Sequence, residues 1–277
     1  MNAIKGMAFQ GVARGFLLLM AGFMLLPFMW IISTSFRLPQ ESFSLPPAFF
    51  PTSFRVDNYR QVFTEFPFTA FILNSTIVTG VVVIGHVLFS SMAAYAFARI
   101  RFPGRDLIFI VFLSGLMIPI QVTIIPLYIF LAKLGLVDTQ AALILPALIN
   151  PLGIFLIRQL MLTIPFSYDE AAYMDGAGRF QVFLKIILPM SMPAVSTSSV
   201  LWFIAQWNDY FRPLIFINTY EKMTLPIGMT VLKGEYGSGN LSAIMAGVTV
   251  SLIAPLIFYI VGQKYLMNGI RAGGLKG

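Results

Sequence analysis

TIPFSYDEAAYMDGAGRFQVFLKIILPMSMP, residues 163–193, is a polar stretch set between two long apolar runs, and that setting decides the fold. Ser167 stands three residues before Glu170, the spacing of a capping box in which hydroxyl and carboxylate take opposite orphan amides of a starting helix. A short helix over 168–175 is therefore expected. Gly176 and Gly178 then bend the chain, since glycine accepts backbone angles that other residues avoid. A second helix should run over 179–188, with Phe180, Phe183, Leu184 and Ile187 on one face and Pro189 ending it. The segment is too polar for lipid until its end, so it reads as a helix, turn and helix lying at a membrane surface. Such a projecting knob suits a groove on another protein.

Working outward, the apolar runs are long. A hydrocarbon core about 30 Å thick needs about 20 mainly apolar residues in helical form, because lipid offers no partner to an open backbone amide. Residues 15–34, 71–97, 107–132, 141–161, 193–216 and 241–265 meet that test, which predicts six spans and an all-α transmembrane fold. Composition agrees: 58% of the 277 residues are hydrophobic, 10% are charged, and the mean hydropathy is +0.84. A soluble domain carries about 25% charged residues, so the surplus apolar surface here calls for lipid. Lys5 and Arg14 precede the first run as they would in a signal peptide, but that run exceeds the usual h-region of about 7 to 15 residues and is read as a retained span.

With both termini inside, the inner side carries eleven of the eighteen Lys and Arg residues, among them Arg99, Arg101, Arg105, Arg158, Arg179 and Lys185. Its four acids are Asp106, Asp169, Glu170 and Asp175. The excess of basic residues in short inner connections favours an N-in, C-in topology and accounts for the formal charge of +7 without nucleic acid. Residues 35–69 and 217–240 are then the external connections. The chain divides into a first span with its external segment, 1–70, and a five-span core, 71–277, that contains the inner loop 162–189.

The loop carries a resemblance. Glu170, Ala171, Ala172, then Gly176, and after nine residues Ile186, Leu188 and Pro189 fill every fixed position of the EAA signature of ABC importer permeases. The extended form EAAYMDGAG, with Asp175 and Ala177, resembles the carbohydrate-uptake branch. LGLVDTQAALILP (134–146), QWNDYFRPLIF (206–216), LPIGMTVLKGEYG (225–237) and the ending QKYLMNGIRAGGLKG are similar to the second permease subunit of maltose-type transporters.

The resemblance implies the six-helix, MetI-like fold of type I importers in a prokaryotic plasma membrane. It also implies that the EAA loop is a coupling helix seated in a cleft of a cytoplasmic ATPase subunit. Glu170, Ala171, Ala172, Asp175, Gly176 and Ala177 would form that contact, supported by Ser167, Ile186, Leu188 and Pro189. The implied partners are a homologous second permease, two ATPase chains holding ATP and magnesium, and an external binding protein. The implied substrate is a sugar. In that family the tail of this subunit type reaches the ATPase dimer, and residues 268–277, glycine-rich and basic, cannot fold alone. The external loop 219–240, with Gly228, Gly234, Gly237 and Gly239, resembles the scoop offered to the binding protein.

Other chemistry finds little support. No G-x-x-x-x-G-K-[ST] occurs, so nucleotide phosphates have no cradle in this chain and no cofactor is expected in it. Cysteine is absent, and the lone His86 has no carboxylate or second imidazole nearby in sequence. Buried polar groups in lipid suggest a pathway; Asn74, Gln121, Asn150, Gln206, Trp207, Asn208, Asp209 and Tyr210 are the candidates, with Asp209 and Arg212 spaced to pair on one helix face. Aromatics and charges near a span's outer end also mark headgroup depth. An ion-coupled carrier or channel would need its own charge relay and often an inverted repeat, and a membrane enzyme an acid, base or metal set. The sequence offers neither.

Overall fold

The computed structural model describes residues 2–43, 49–51, 54–236 and 240–274, and every regular element among them is helical. In chain order these are α1 (Asn2–Ser35), α2 (Asp57–Glu65), α3 (Phe68–Arg99), α4 (Arg105–Ser114), α5 (Ile120–Lys133), α6 (Gln140–Ile144), α7 (Pro151–Thr163) and α8 (Ser167–Met174). There follow α9 (Arg179–Val182), α10 (Leu188–Met190), α11 (Met192–Trp207), α12 (Phe211–Phe216), α13 (Leu225–Tyr236), α14 (Leu241–Ser251) and α15 (Ile253–Gly274).

Four segments are long and apolar enough to cross a bilayer: Ala13–Ser35, Phe68–Arg99, Gln140–Thr163 and Leu241–Gln263. Two further candidates are bent pairs, Arg105–Met117 with Ile120–Lys133 at 102°, and Arg179–Met190 with Met192–Trp207 at 75°. Counting each pair once gives the six expected crossings. The third is broken where Pro119, in extended conformation, caps α5, whereas Pro126 lies inside α5 without interrupting it.

The fifth span differs from expectation at both ends. It continues back into the polar loop, and its helix stops at Trp207 instead of Phe216. At that end the Asn208 amide and side chain both donate to the Ile204 carbonyl, and Asp209 N–H donates to Gln206 O. These bonds tighten and close the helix.

The chain forms two compact units, residues 1–68 with 229–252, and residues 69–228 with 253–277. In the first, Asn58 donates to the carbonyls of Ser35 and Arg37 at 2.8 and 2.9 Å, which fixes the end of α1 against α2. Ser42 and Ser242 meet at 2.8 Å, and Asn240 caps α14 while its amide reaches Gln61.

The second unit has two apolar cores at opposite ends of α3. One gathers Val78, Val82, Ile124, Leu143, Ala147 and Phe216. The other gathers Ala94, Tyr95 and Ala98 of α3, Phe109 of α4, Ile154, Ile157 and Met161 of α7, Ala172 of α8, and Val182, Phe183 and Ile187. Between them α7 approaches α3 so closely that a Cβ on Gly153 would lie 2.1 Å from His86 Cε1. His86 itself is buried, 3.0 Å from Ser90 Oγ and 3.4 Å from Ser198 Oγ.

Two further segments are helical. Residues 225–236 of the external loop are helical, with Gly237 and Gly239 outside the described residues. The tail expected from residue 268 continues α15 to Gly274, since extending an existing helix adds a bond for each residue fixed; its side chains and residues 275–277 lie outside the described residues.

Candidate functional site

The loop after α7 begins with Ile164 in extended conformation and Pro165. Proline starts the turn one residue earlier than the sequence suggests, so Phe166 takes the cap position with helical angles. The amides of Tyr168, Asp169 and Glu170 are satisfied by the carbonyls of Pro165 and Phe166. The expected capping box therefore does not form: Ser167 is the first helical residue, exposed, and makes no cap bond. Half of such a box appears further on, where Gln181 Oε1 accepts the Gly178 N–H at 3.1 Å.

Gly176 ends α8 at φ +80°. Its N–H donates to Tyr173 O at 3.0 Å, and the Ala177 N–H donates to Ala172 O at 2.9 Å. Those two bonds with a left-handed glycine are the Schellman stop, in which orphan carbonyls of the last turn are satisfied. The glycine of the signature thus has a structural cause, and Ala172 and Ala177 touch the core beneath.

The second helix does not end at Pro189. Residues 183–187 form a π turn in which Leu188 N–H reaches Phe183 O, and Pro189 sits in the following helical turn. The wider turn brings Ile187 inward with Val182 and Phe183 and leaves Leu184 exposed; Phe180, ahead of the turn, is exposed as well. The chain then bends at Ser191, whose N–H is shared between the Ile187 and Leu188 carbonyls.

Two residues of α8 are buried, Asp169 and Ala172, three positions apart on one face. Glu170, Ala171, Tyr173, Met174, Asp175 and Gly176 are exposed, Met174 by 88%. Asp169 faces the Arg99 guanidinium at 3.6 Å. Burial pushes the Asp169 carboxyl above its ordinary value, and the Arg99 charge pulls it back. Arg99 also donates to Ile164 O at 2.7 Å and lies over the Phe166 ring at 4.4 Å. Tyr95 OH donates to Arg179 O at 3.2 Å. α8 is thereby fastened along one side and open along the other.

Four of the candidate pathway residues fall into three hydrogen-bonded groups. Asn74 donates to Glu221 O and Met223 O and accepts from Gln140. Asn150 caps α7 through the Leu152 N–H and lines a cavity of about 130 Å³ with His86, Gly153, Ser198 and Trp202. Gln206 and Asp209 bind Arg212 at 2.9 and 2.6 Å, the expected pairing with a third member. Trp207 stacks on Phe203, Asn208 turns back on its own helix, and Gln121 and Tyr210 are exposed.

Asp138 is not among the residues that the sequence singles out. With φ 62°, it turns its carboxylate onto the amides of Asn218 and Thr219, the Thr219 hydroxyl and Lys222. The Thr219 bonds, with Lys222 and Asn218, hold this carboxyl well below the usual carboxylate range. A lowered folded value means the clamp is complete above the unfolded carboxylate value of about 4 and is lost only as pH falls through the lower folded one. Exchange protection of the Asn218 and Thr219 amides is therefore expected to stay flat from pH 8 to pH 5, and to drop severalfold at every pH in Asp138→Ala.

Up to six apolar segments able to cross a bilayer, with a short exposed helix in the chain between two of them, define a multi-span membrane component. Residues 86–271 match the family of binding-protein-dependent transport system inner membrane components, and the chain belongs to that family, as a multi-pass inner-membrane protein. It is 34% identical over 254 residues to the arabinooligosaccharides transport system permease protein AraQ of Halalkalibacterium halodurans, covering 91% of each chain. It is 36% identical to the trehalose/maltose transport system permease protein MalG of Thermococcus litoralis, covering 94% of each. Among solved structures it resembles a chain of a bacterial ABC transporter involved in the import of the acidic polysaccharide alginate, with a TM-score of 0.80, 25% identity, and coverage of 92% of this chain and 96% of that one.

Proposed function

We propose that this chain is the permease subunit of an ATP-driven importer of a carbohydrate, a di- or oligosaccharide, and that it forms half of the translocation pathway beside a homologous second permease. An external binding protein delivers the solute, and two separate ATPase chains hold ATP and magnesium. The chain hydrolyses nothing itself, in keeping with the lack of a phosphate-binding loop anywhere in its sequence. The sugar class is supported by the names of the arabinooligosaccharide and trehalose/maltose relatives.

The observation that carries the coupling role is the two-sided character of α8. Asp169 and Ala172 anchor it, while Glu170, Ala171, Tyr173 and Met174 stand outward as a contact surface. The small residue at 171 admits close approach by a partner. On this reading α8 faces the cytoplasm and both termini lie inside.

Because the chain contains no cysteine, Met174→Cys places a single thiol on that surface. In the assembled importer a short bifunctional reagent should join it to the ATPase subunit, and an impermeant thiol reagent outside intact cells should leave it unlabelled. Labelling from outside, or no ATPase adduct, rejects the reading. Solute uptake by the purified chain alone would favour an ion-coupled carrier instead.

A further inference from the structure

We infer that Arg99 and Asp169 are the positioning pair through which displacement of α8 reaches α3, a role that rests on the coupling function proposed above. Arg99 is the last residue of α3, and its side chain is 1% exposed; that of Asp169 is 4% exposed. One guanidinium there meets three pieces of the loop: the carbonyl that closes α7, the ring at the cap of α8, and the carboxylate inside α8. The pairs Arg55–Asp57, Arg105–Asp106, Arg158–Asp106, Arg212–Asp209 and Lys222–Asp138 are all more exposed.

Stability does not account for it. Taking two charges out of water costs most of what their attraction returns, and apolar residues of similar volume commonly serve as well. What apolar packing does not supply is direction. A planar fork held by a carbonyl and facing a carboxylate defines an orientation, and a hydrophobic contact can slide.

The pair also has slack. At 3.6 Å it is longer than the roughly 2.7–2.9 Å of a charge-assisted hydrogen bond. Arg99 Nε and Nη1 and Asp169 Oδ2 have no hydrogen-bond partner. A shift of under 1 Å of α8 toward α3 closes the bond, so the junction can be drawn tight when α8 is pushed from outside.

The test uses the complete importer in lipid nanodiscs, with ATP and magnesium as the only added ligands, so no solute need be known. A fluorophore on Met174→Cys reports engagement of α8, and one on Ile84→Cys, exposed on α3, reports movement of that helix. Both should respond to ATP in the otherwise unaltered chain. In Asp169→Asn and in the double variant Arg99→Met with Asp169→Leu, the Met174 response should persist and the Ile84 response should fall at least about fivefold.

Equal Ile84 responses in the altered and unaltered chains overturn the inference. So does failure of the double variant to assemble, since that marks the pair as a stabilising element. Silence at Met174 in the otherwise unaltered chain is a different failure, because it removes the coupling role beneath the inference as well.

Discussion

Gly176→Val is expected to reduce ATP-driven uptake at least tenfold while the amount of inserted subunit stays near normal. At φ +80° a β-branched residue meets steric conflict with its own backbone, and a residue held there costs about 1–3 kcal/mol. A Cβ at this position would meet nothing within 4 Å, so the effect is not one of crowding. The strain falls on the two bonds of the Schellman stop, Gly176 N–H to Tyr173 O and Ala177 N–H to Ala172 O. Their loss frays α8 and turns the contact surface at Tyr173 and Met174. Gly176→Asn, whose side chain tolerates left-handed angles, should keep more of the uptake than valine. The comparison is made by uptake per assembled complex in vesicles supplied with the binding protein. Undiminished uptake with valine removes α8 from the coupling route.

Gly153→Ala should lower the thermal midpoint of the purified subunit by several degrees. The added methyl would stand 2.1 Å from His86 Cε1 and 2.5 Å from Nε2. To yield into the cavity beside it, the imidazole would have to give up its contacts with Ser90 and Ser198. Alanine gains about 0.5–1 kcal/mol over glycine within a helix, but forcing a side chain and its helix aside typically costs about 1–3 kcal/mol, and the contact with the ring here is far inside van der Waals distance. Forcing α7 away from α3 also disturbs the Asn150 cap at the start of α7. Adding His86→Ala to Gly153→Ala makes room and should recover part of the loss. An unchanged midpoint in Gly153→Ala contradicts the close approach of these helices.

The apolar runs were legible because crossing a bilayer imposes length and hydropathy on each segment separately. Their internal breaks were not. Pro119 and Pro126 look alike in the sequence, yet the third span bends by 102° beside one and runs through the other, because only the surroundings decide whether a freed carbonyl finds a partner. The π turn at 183–187 left no local mark, and it leaves exposed the Leu184 that a regular period had placed on the buried face.

The EAA pattern identified α8, but the anchor beneath it was missed. Arg99 and Asp169 read as a topogenic charge and its counterweight, since nothing in either neighbourhood announces a pairing between distant residues. The polar residues of the spans were visible as unusual in lipid. Several of them are held in local duties, such as the Asn150 cap and the Asn208 return to Ile204, which composition does not distinguish from a pathway.

The bend at Ser191 gives α11 the mechanics of a lever. Its 16 residues span about 24 Å from that fulcrum. A tilt of about 5° at the pivot sweeps Gln206 through about 2 Å, more than a hydrogen bond can stretch and survive. Modest rotation at the Ser191 end is thus magnified into rearrangement of the Gln206, Asp209 and Arg212 triad at the other.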